Sequence, residues 1–138
     1  MEEIEGDLFS APIDYHFVHC VGADYPLLSY SCGIAKEFRR RYGASIPVTN
    51  VGKLAIIQAE RIVIHLITKE TCRTSRPTLE SMKECLISLA NYIRENKIMK
   101  LAMPKIGCGL DRLEWTDVKK LIEDILIPTG VKILIYYL

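Results

Sequence analysis

The chain has 138 residues, 49% of them apolar and 25% charged, with 18 Lys and Arg against 17 Asp and Glu and a formal net charge of +1. That length predicts one domain, 1–138, able to bury roughly two-thirds of the surface its unfolded form exposes. The charge balance excludes a global field for nucleic acid or membrane, and no apolar run reaches the ~18 residues of a membrane span.

In chain order, the acidic start "EEIEGD" after Met1 carries no signal peptide. Residues 15–22 are short, apolar and partly β-branched, and predict a strand. A small-residue loop, 31–33, opens a helix through "GIAKEFRRRYG", with Ile34, Ala35 and Phe38 on one side and an end at Gly43. Two further strands are expected at 53–58 and 61–68. The clearest helix follows Pro77, with Thr78 as its N-cap and Met82, Leu86, Leu89 and Ile93 at intervals of four and three. Residues 100–104 predict another strand and 105–114 a loop. A helix from Trp115 carries Val118, Leu121, Ile122 and Ile125, with Thr116 as candidate cap and a stop at Pro128 and Gly130. Residues 131–138 close the chain as a strand. Strands interleaved with helices imply a largely parallel sheet covered on both faces, which takes ligands at the carboxyl ends of its strands.

"MPKIGCGLDRL", 103–113, falls at such an end. Gly107 and Gly109 let the backbone turn its N–H groups toward an anion, and the same spacing equally serves a tight strand-to-helix connection. The loop 31–33 offers a second anion geometry ahead of a helix, with no Walker A pattern, so two such loops can hold a diphosphate. Lys69, just past a strand, is either a solvated charge or, held in a crevice, a nucleophile with Asp111 as its general base or orienting group. The five cysteines lack metal-ligand spacing and read as free thiols of a reducing compartment. Cys108 has no neighbouring histidine to activate it and reads as a small buried thiol. His19 and His65 lie in apolar strands and read as hydrogen-bonded core residues. Arg39, Arg40 and Arg41 read as a solvated helix face.

Together "GDLF" (6–9), "HCVGAD" (19–24), "GIAKEF" (33–38), "LITK" (66–69), "MPKIGCGLDRLEW" (103–115) and the terminal "YYL" resemble the macrodomain family. Within it they resemble the terminal ADP-ribose protein glycohydrolase branch, in order along nearly the whole chain. The resemblance implies an α/β fold, a three-layer α/β/α macrodomain with a central, largely parallel mixed sheet whose crevice binds ADP-ribose. It implies that Asp7, with Leu8 and Leu138, meets the adenine. Ser31, Gly33, Ile34, Pro104, Ile106, Gly107, Cys108, Gly109 and Leu110 would enclose the diphosphate and distal ribose, with Gly22, Asp24 and Thr68 bordering that ribose. Lys69 and Asp111 match the branch's catalytic pair, in which the lysine attacks the anomeric carbon and the aspartate helps form and resolve the adduct.

The implied activity is hydrolysis of ADP-ribose esterified to glutamate or aspartate of proteins and deacylation of O-acetyl-ADP-ribose, with no metal and no cofactor. The implied partners are ADP-ribose and mono-ADP-ribosylated proteins, met by a monomer in the cytoplasm or nucleus. Departures from the branch pattern are "YSCG" (30–33), which puts Ser31 and Cys32 where smaller residues are usual, a glycine at 22 where serine is common, and a longer segment 24–30. The altered loop leaves a non-catalytic ADP-ribose reader as a second reading. Removal of ADP-ribose from nucleic acid, with Arg39, Arg40, Arg41, Arg73 and Arg76 on phosphates, is a third.

Overall fold

Apolar strand runs that face helices on both sides assemble into one six-stranded sheet in the computed structural model, which describes residues 1–29, 31 and 33–138. Cys32, one of the residues that sets the loop before the first helix apart, lies outside the described residues. The strands are β1 (Glu2–Glu5), β2 (His16–Gly22), β3 (Leu54–Gln58), β4 (Ile62–Lys69), β5 (Lys100–Pro104) and β6 (Lys132–Tyr137), in the order β1-β6-β5-β2-β4-β3. All neighbours run parallel except the β3–β4 pair. The helices are α1 (Ile34–Tyr42), α2 (Leu79–Asn96) and α3 (Trp115–Ile125).

Alternation along each strand divides the interior into two layers. One face of the sheet, through Val18, Ile64, Leu66, Leu101, Met103, Ile133 and Ile135, packs on α2 and α3. Met82, Leu86, Leu89 and Ile93 supply the buried stripe of α2; each such side chain contributes roughly 1.5–3 kcal/mol by leaving water. The opposite face, through Phe17, Val63 and Ala102, packs on Phe38 of α1 and on Leu8. The result is three layers, α/β/α.

The N-terminus of α2 is closed by a capping box: Ser81 N–H donates to Thr78 Oγ1 at 3.0 Å, and Thr78 N–H donates to Ser81 Oγ at 2.9 Å. The cap of α3 differs from the expected Thr116. Glu114 takes that position, with extended backbone and no side-chain cap bond, so Trp115 is already helical. β1 has no strand-like signal, since Ile4 is its single apolar side chain. Its backbone pairs with β6, Ile4 packs against the cluster of Leu8, Phe17 and Tyr136, and Glu3 accepts from Trp115 Nε1 at 3.0 Å and Lys119 Nζ at 2.8 Å. The parallel strands β6, β5, β2 and β4 bring Tyr137, Pro104, Gly22 and Lys69 to one edge of the sheet.

Candidate active site

Lys69 ends β4 and Asp111 lies in the turn after β5. The sheet places their strands two positions apart, and the loop after β5 folds back across β2. Lys69 Nζ donates to Asp111 Oδ1 at 2.5 Å, with the two side chains only 10% and 16% exposed. Both are reachable from the cleft, because both line a cavity of about 680 Å3 at this edge.

Two loops form the neck of that cavity. Gly107 has φ +72°, and a Cβ there would lie 2.8 Å from Met82 Cε and 2.9 Å from Leu113 Cδ1. Glycine is thus demanded twice, by backbone angle and by packing. Leu113 N–H closes the loop on Gly107 O at 2.7 Å. Gly109 is different: it has open space around it and lines the cleft. Gly33, at φ +59°, caps α1, and a Cβ built on it would sit 3.5 Å from Leu110 Cδ1. Leu110 is 71% exposed, so the tips of the two loops approach each other over the cleft.

Beyond that neck a second cavity, of about 720 Å3, is lined by Asp7, Leu8, Phe9, Tyr136 and Leu138 and shares Gly33, Ile34, Pro104 and Gly109 with the first. One carboxylate oxygen of Asp7 accepts from Phe9 N–H at 2.9 Å, holding a short turn at Leu8–Ser10. The first cavity has the reactive pair and the second a carboxylate among apolar walls, joined at glycine loops. This geometry suits an extended ligand with an anionic middle.

The structure therefore brings together Lys69, Asp111, Gly22, Ser31, Gly33, Ile34, Pro104, Ile106, Gly107, Gly109 and Leu110 at the first cavity, and Asp7, Leu8, Cys108 and Leu138 at the second. Asp24 and Thr68 stand outside both linings. Thr68 is buried, and its carbonyl accepts from Ser81 Oγ at 2.8 Å. Asp24 turns its carboxylate to the N–H of Cys72, at 3.0 and 3.2 Å, tying the loop after β2 to the loop after β4. A Cβ at Gly22 would meet that same carboxylate at 2.7 Å. Gly22 and Asp24 thus form one unit.

Arg39 departs from the expected solvated face. It points inward and donates Nε to Ser31 Oγ at 2.8 Å, Nη1 to Leu28 O at 3.0 Å and Nη2 to Tyr25 O, with its guanidinium 4.5 Å from the centroid of the Tyr25 ring. One half-buried cation thus holds Tyr25, Leu28 and Ser31, which border the cleft. Helical spacing from Phe38 does not reveal this, because its partners are backbone carbonyls of a remote loop. Arg40 and Arg41 stay outside and pair with Glu37.

Three of the thiols lack activation. Burial pushes Cys108 up to about 11 and Cys85 up to about 12, and burial raises Cys20 well above its ordinary range. A thiol in that state is no nucleophile at neutral pH. His19 and His65 are core residues, but His19 differs from the expected hydrogen-bonded pattern: among the described residues neither of its ring nitrogens has a partner. Its ring stacks on Phe38 at 3.9 Å between centroids, an apolar face with nothing to offer a nitrogen. His65 Nδ1 meets Ala55 O at 3.0 Å. Among the described residues no group of three or more His, Cys, Asp or Glu is placed to hold a metal ion, and no helix is long and apolar enough to cross a membrane.

Against known proteins, the Macro domain family model matches residues 27–122. The chain is 33% identical over 140 residues to the ADP-ribose glycohydrolase OARD1 of Homo sapiens, an alignment covering 98% of this chain and 90% of that protein. It is 28% identical over 131 residues to the DNA ADP-ribosyl glycohydrolase of Mycobacterium tuberculosis, covering 83% of this chain and 35% of that larger protein. In fold it is similar to the macrodomain of Thermus aquaticus DarG, with a TM-score of 0.83 at 22% identity over 99% of this chain and 97% of that one.

Proposed function

The chain belongs to the macro domain family, and we propose that it is a hydrolase that binds ADP-ribose in the double cleft and releases it from carboxylate esters. The carrying observation is the Lys69–Asp111 contact of 2.5 Å beside two glycine loops. The similarity to a protein named as an ADP-ribose glycohydrolase supports the same reading.

In this reading the adenine lies by Asp7, Leu8 and Leu138, the diphosphate passes Gly33 and the loop 107–110, and the distal ribose reaches Lys69. An ammonium cannot attack, so Asp111 takes a proton from Lys69. The freed nitrogen lone pair forms a bond to the anomeric carbon. The bond from that carbon to the ester oxygen breaks, and its electron pair leaves with the glutamate or aspartate carboxylate. Asp111 then helps resolve the adduct: water adds to the anomeric carbon and gives up a proton, the carbon–nitrogen bond breaks with its electron pair going to nitrogen, and Asp111 returns its proton to Lys69, so ADP-ribose and the lysine are regenerated. A carboxylate is a good leaving group, so no step is routed through a metal ion. Asp111 also holds the lysine in line, a positional contribution that survives only while both loops keep their places.

The test is release of ADP-ribose from a glutamate-linked substrate. Lys69→Ala should abolish turnover and Asp111→Ala should lower it by roughly 10²–10⁴-fold, with the affinity for free ADP-ribose largely kept. Wild-type turnover in the Lys69→Ala protein would sink the reading.

A further inference from the structure

Lys69 sits where the sheet loses its regular ladder. Along the β2–β4 pair Phe17 faces Val63, and the match runs residue by residue as far as Val21 and Ile67; the next pair is Gly22 with Lys69, so Thr68 is passed over. On the other flank, backbone bonds with Lys53 and Gly52, at 3.0 and 2.8 Å, carry the support as far as Ile67. A slip of this kind re-aims the side chain that follows it. The direction of Lys69 therefore depends on what fixes residues 68–72, rather than on strand alternation.

Contacts from two other elements fix them. From α2, Ser81 Oγ donates to Thr68 O at 2.8 Å. From the loop after β2, Ala23 N–H donates to Lys69 O at 2.8 Å, and the Asp24 carboxylate accepts from Cys72 N–H at 3.0 and 3.2 Å. Adjacent residues of one loop thus grip the chain at the lysine and again three residues beyond it. The grip is close, because a Cβ at Gly22 would lie 2.7 Å from Asp24 Oδ1, 3.0 Å from Cys72 N and 3.1 Å from Thr71 C. Glycine lets the two loops lie this near, and a carboxylate acceptor makes the second grip stronger than a neutral one would be.

Resting on the functional reading above, we propose that Asp24 is a positioning residue for the nucleophile: it touches no substrate and acts by holding the backbone of 70–72, so that Lys69 Nζ stands against Asp111 and faces the anomeric carbon. Two observations separate it from a ligand-binding carboxylate. Asp24 lies outside the linings of both cavities, although Gly22 and Cys72 beside it line the first, and both of its oxygens are turned to one backbone N–H. The lysine it serves has little play, since its ammonium is 2.5 Å from Asp111 and its side chain is 10% exposed. A displacement of about 1 Å at such a group is enough to cost about 10²-fold in rate.

The experiment is steady-state hydrolysis of glutamate-linked ADP-ribose by the Asp24→Ala, Asp24→Asn and Asp24→Glu chains, with a calorimetric titration of free ADP-ribose and a pH–rate profile for each. Asp24→Ala should lower kcat by roughly 10- to 100-fold and leave KM and the affinity for free ADP-ribose within about twofold of wild type. Asp24→Asn keeps an acceptor oxygen for Cys72 N–H and should recover most of the loss, with its pH limbs where the wild type has them. Asp24→Glu keeps the charge but moves the oxygens by one methylene group and should not recover it. The last two variants decide the question even where the alanine chain is too unstable to assay. An unchanged kcat in Asp24→Ala, an Asp24→Asn chain no faster than Asp24→Glu, a fall in ADP-ribose affinity that matches the fall in rate, or a shifted pH limb would overturn the positioning role and leave the hydrolase reading standing. A wild-type chain that releases no ADP-ribose from this substrate would overturn both.

Discussion

Two glycines separated by one residue in the same loop make opposite predictions. Gly107 sits at φ +72° with Met82 Cε and Leu113 Cδ1 within 2.8 and 2.9 Å of a new Cβ, whereas Gly109 has nothing within 4 Å. For Gly107→Ala, the left-handed backbone costs about 1–2 kcal/mol. Pushing a methyl group into a packed wall adds about 1–3 kcal/mol more, eased by whatever rotation Met82 allows. We expect about 2–4 kcal/mol of lost stability, which at this chain length is a fall in Tm of roughly 8–15 °C. Gly109→Ala should leave stability within about 0.5 kcal/mol, because it meets no atom and needs no unusual angle. Its methyl group instead enters the cleft, so ADP-ribose affinity should fall. Urea unfolding of both variants beside an ADP-ribose titration of each checks the pair. Equal destabilisation by the two substitutions, or none by Gly107→Ala, would refute the assignment of one glycine to the wall and the other to the cleft.

Arg39→Ala removes three hydrogen bonds and a cation–π contact to Tyr25, Leu28 and Ser31; we expect about 1–3 kcal/mol of destabilisation and faster amide hydrogen exchange at residues 25–28, and unchanged exchange there would argue against this bracing role of Arg39. Burial lowers His65 to about 4 and keeps His19 well below its usual value of 6.5. The unfolded chain takes up these protons near pH 6.5 and the native chain does not, so stability is fully present above pH 6.5 and falls as the pH drops toward 4. For His65 the loss amounts to about 3 kcal/mol. His19→Phe should flatten part of this acid limb in urea titrations between pH 7 and pH 4, and an identical pH profile would contradict it. Leu89, fully buried in α2, should cost about 2–5 kcal/mol when cut to alanine, read as a lower urea midpoint with unchanged slope.

How far the fold could be read in advance depends on where each element gets its stability. β2 and β4 carry their own signal, since Val18, Ile64 and Leu66 are buried by any helix laid on the sheet. The same holds for α2, whose capping residues and apolar stripe are local. β1 carries none, because its backbone partner β6 and the partners of Glu3, Trp115 and Lys119, all lie more than a hundred residues away. The site divides in the same way. Residue type at strand ends leaves Lys69 and the glycines of 107–109 two readings each, and it is the family resemblance that singles them out together with Asp111. The roles of Arg39 and Asp24 show in neither, because each is defined by a backbone group of a distant loop that the residue happens to reach. The pairing of Gly22 with Asp24 is also tertiary: a carboxylate fills the space beside the glycine only once Cys72 N–H is there to receive it. The split between Gly107 and Gly109 depends on Met82, a residue of another element.

The central claim is that Lys69 is the nucleophile and Asp111 its proton partner. It is tested most directly by mixing the Asp111→Ala protein with glutamate-linked ADP-ribose and mapping the products by mass spectrometry. The Asp111→Ala protein should carry a slowly resolved ADP-ribosyl adduct on the Lys69 side chain, absent from the Lys69→Ala/Asp111→Ala protein. Turnover by the wild type without any adduct at Lys69, or an adduct carried by another side chain, would contradict it.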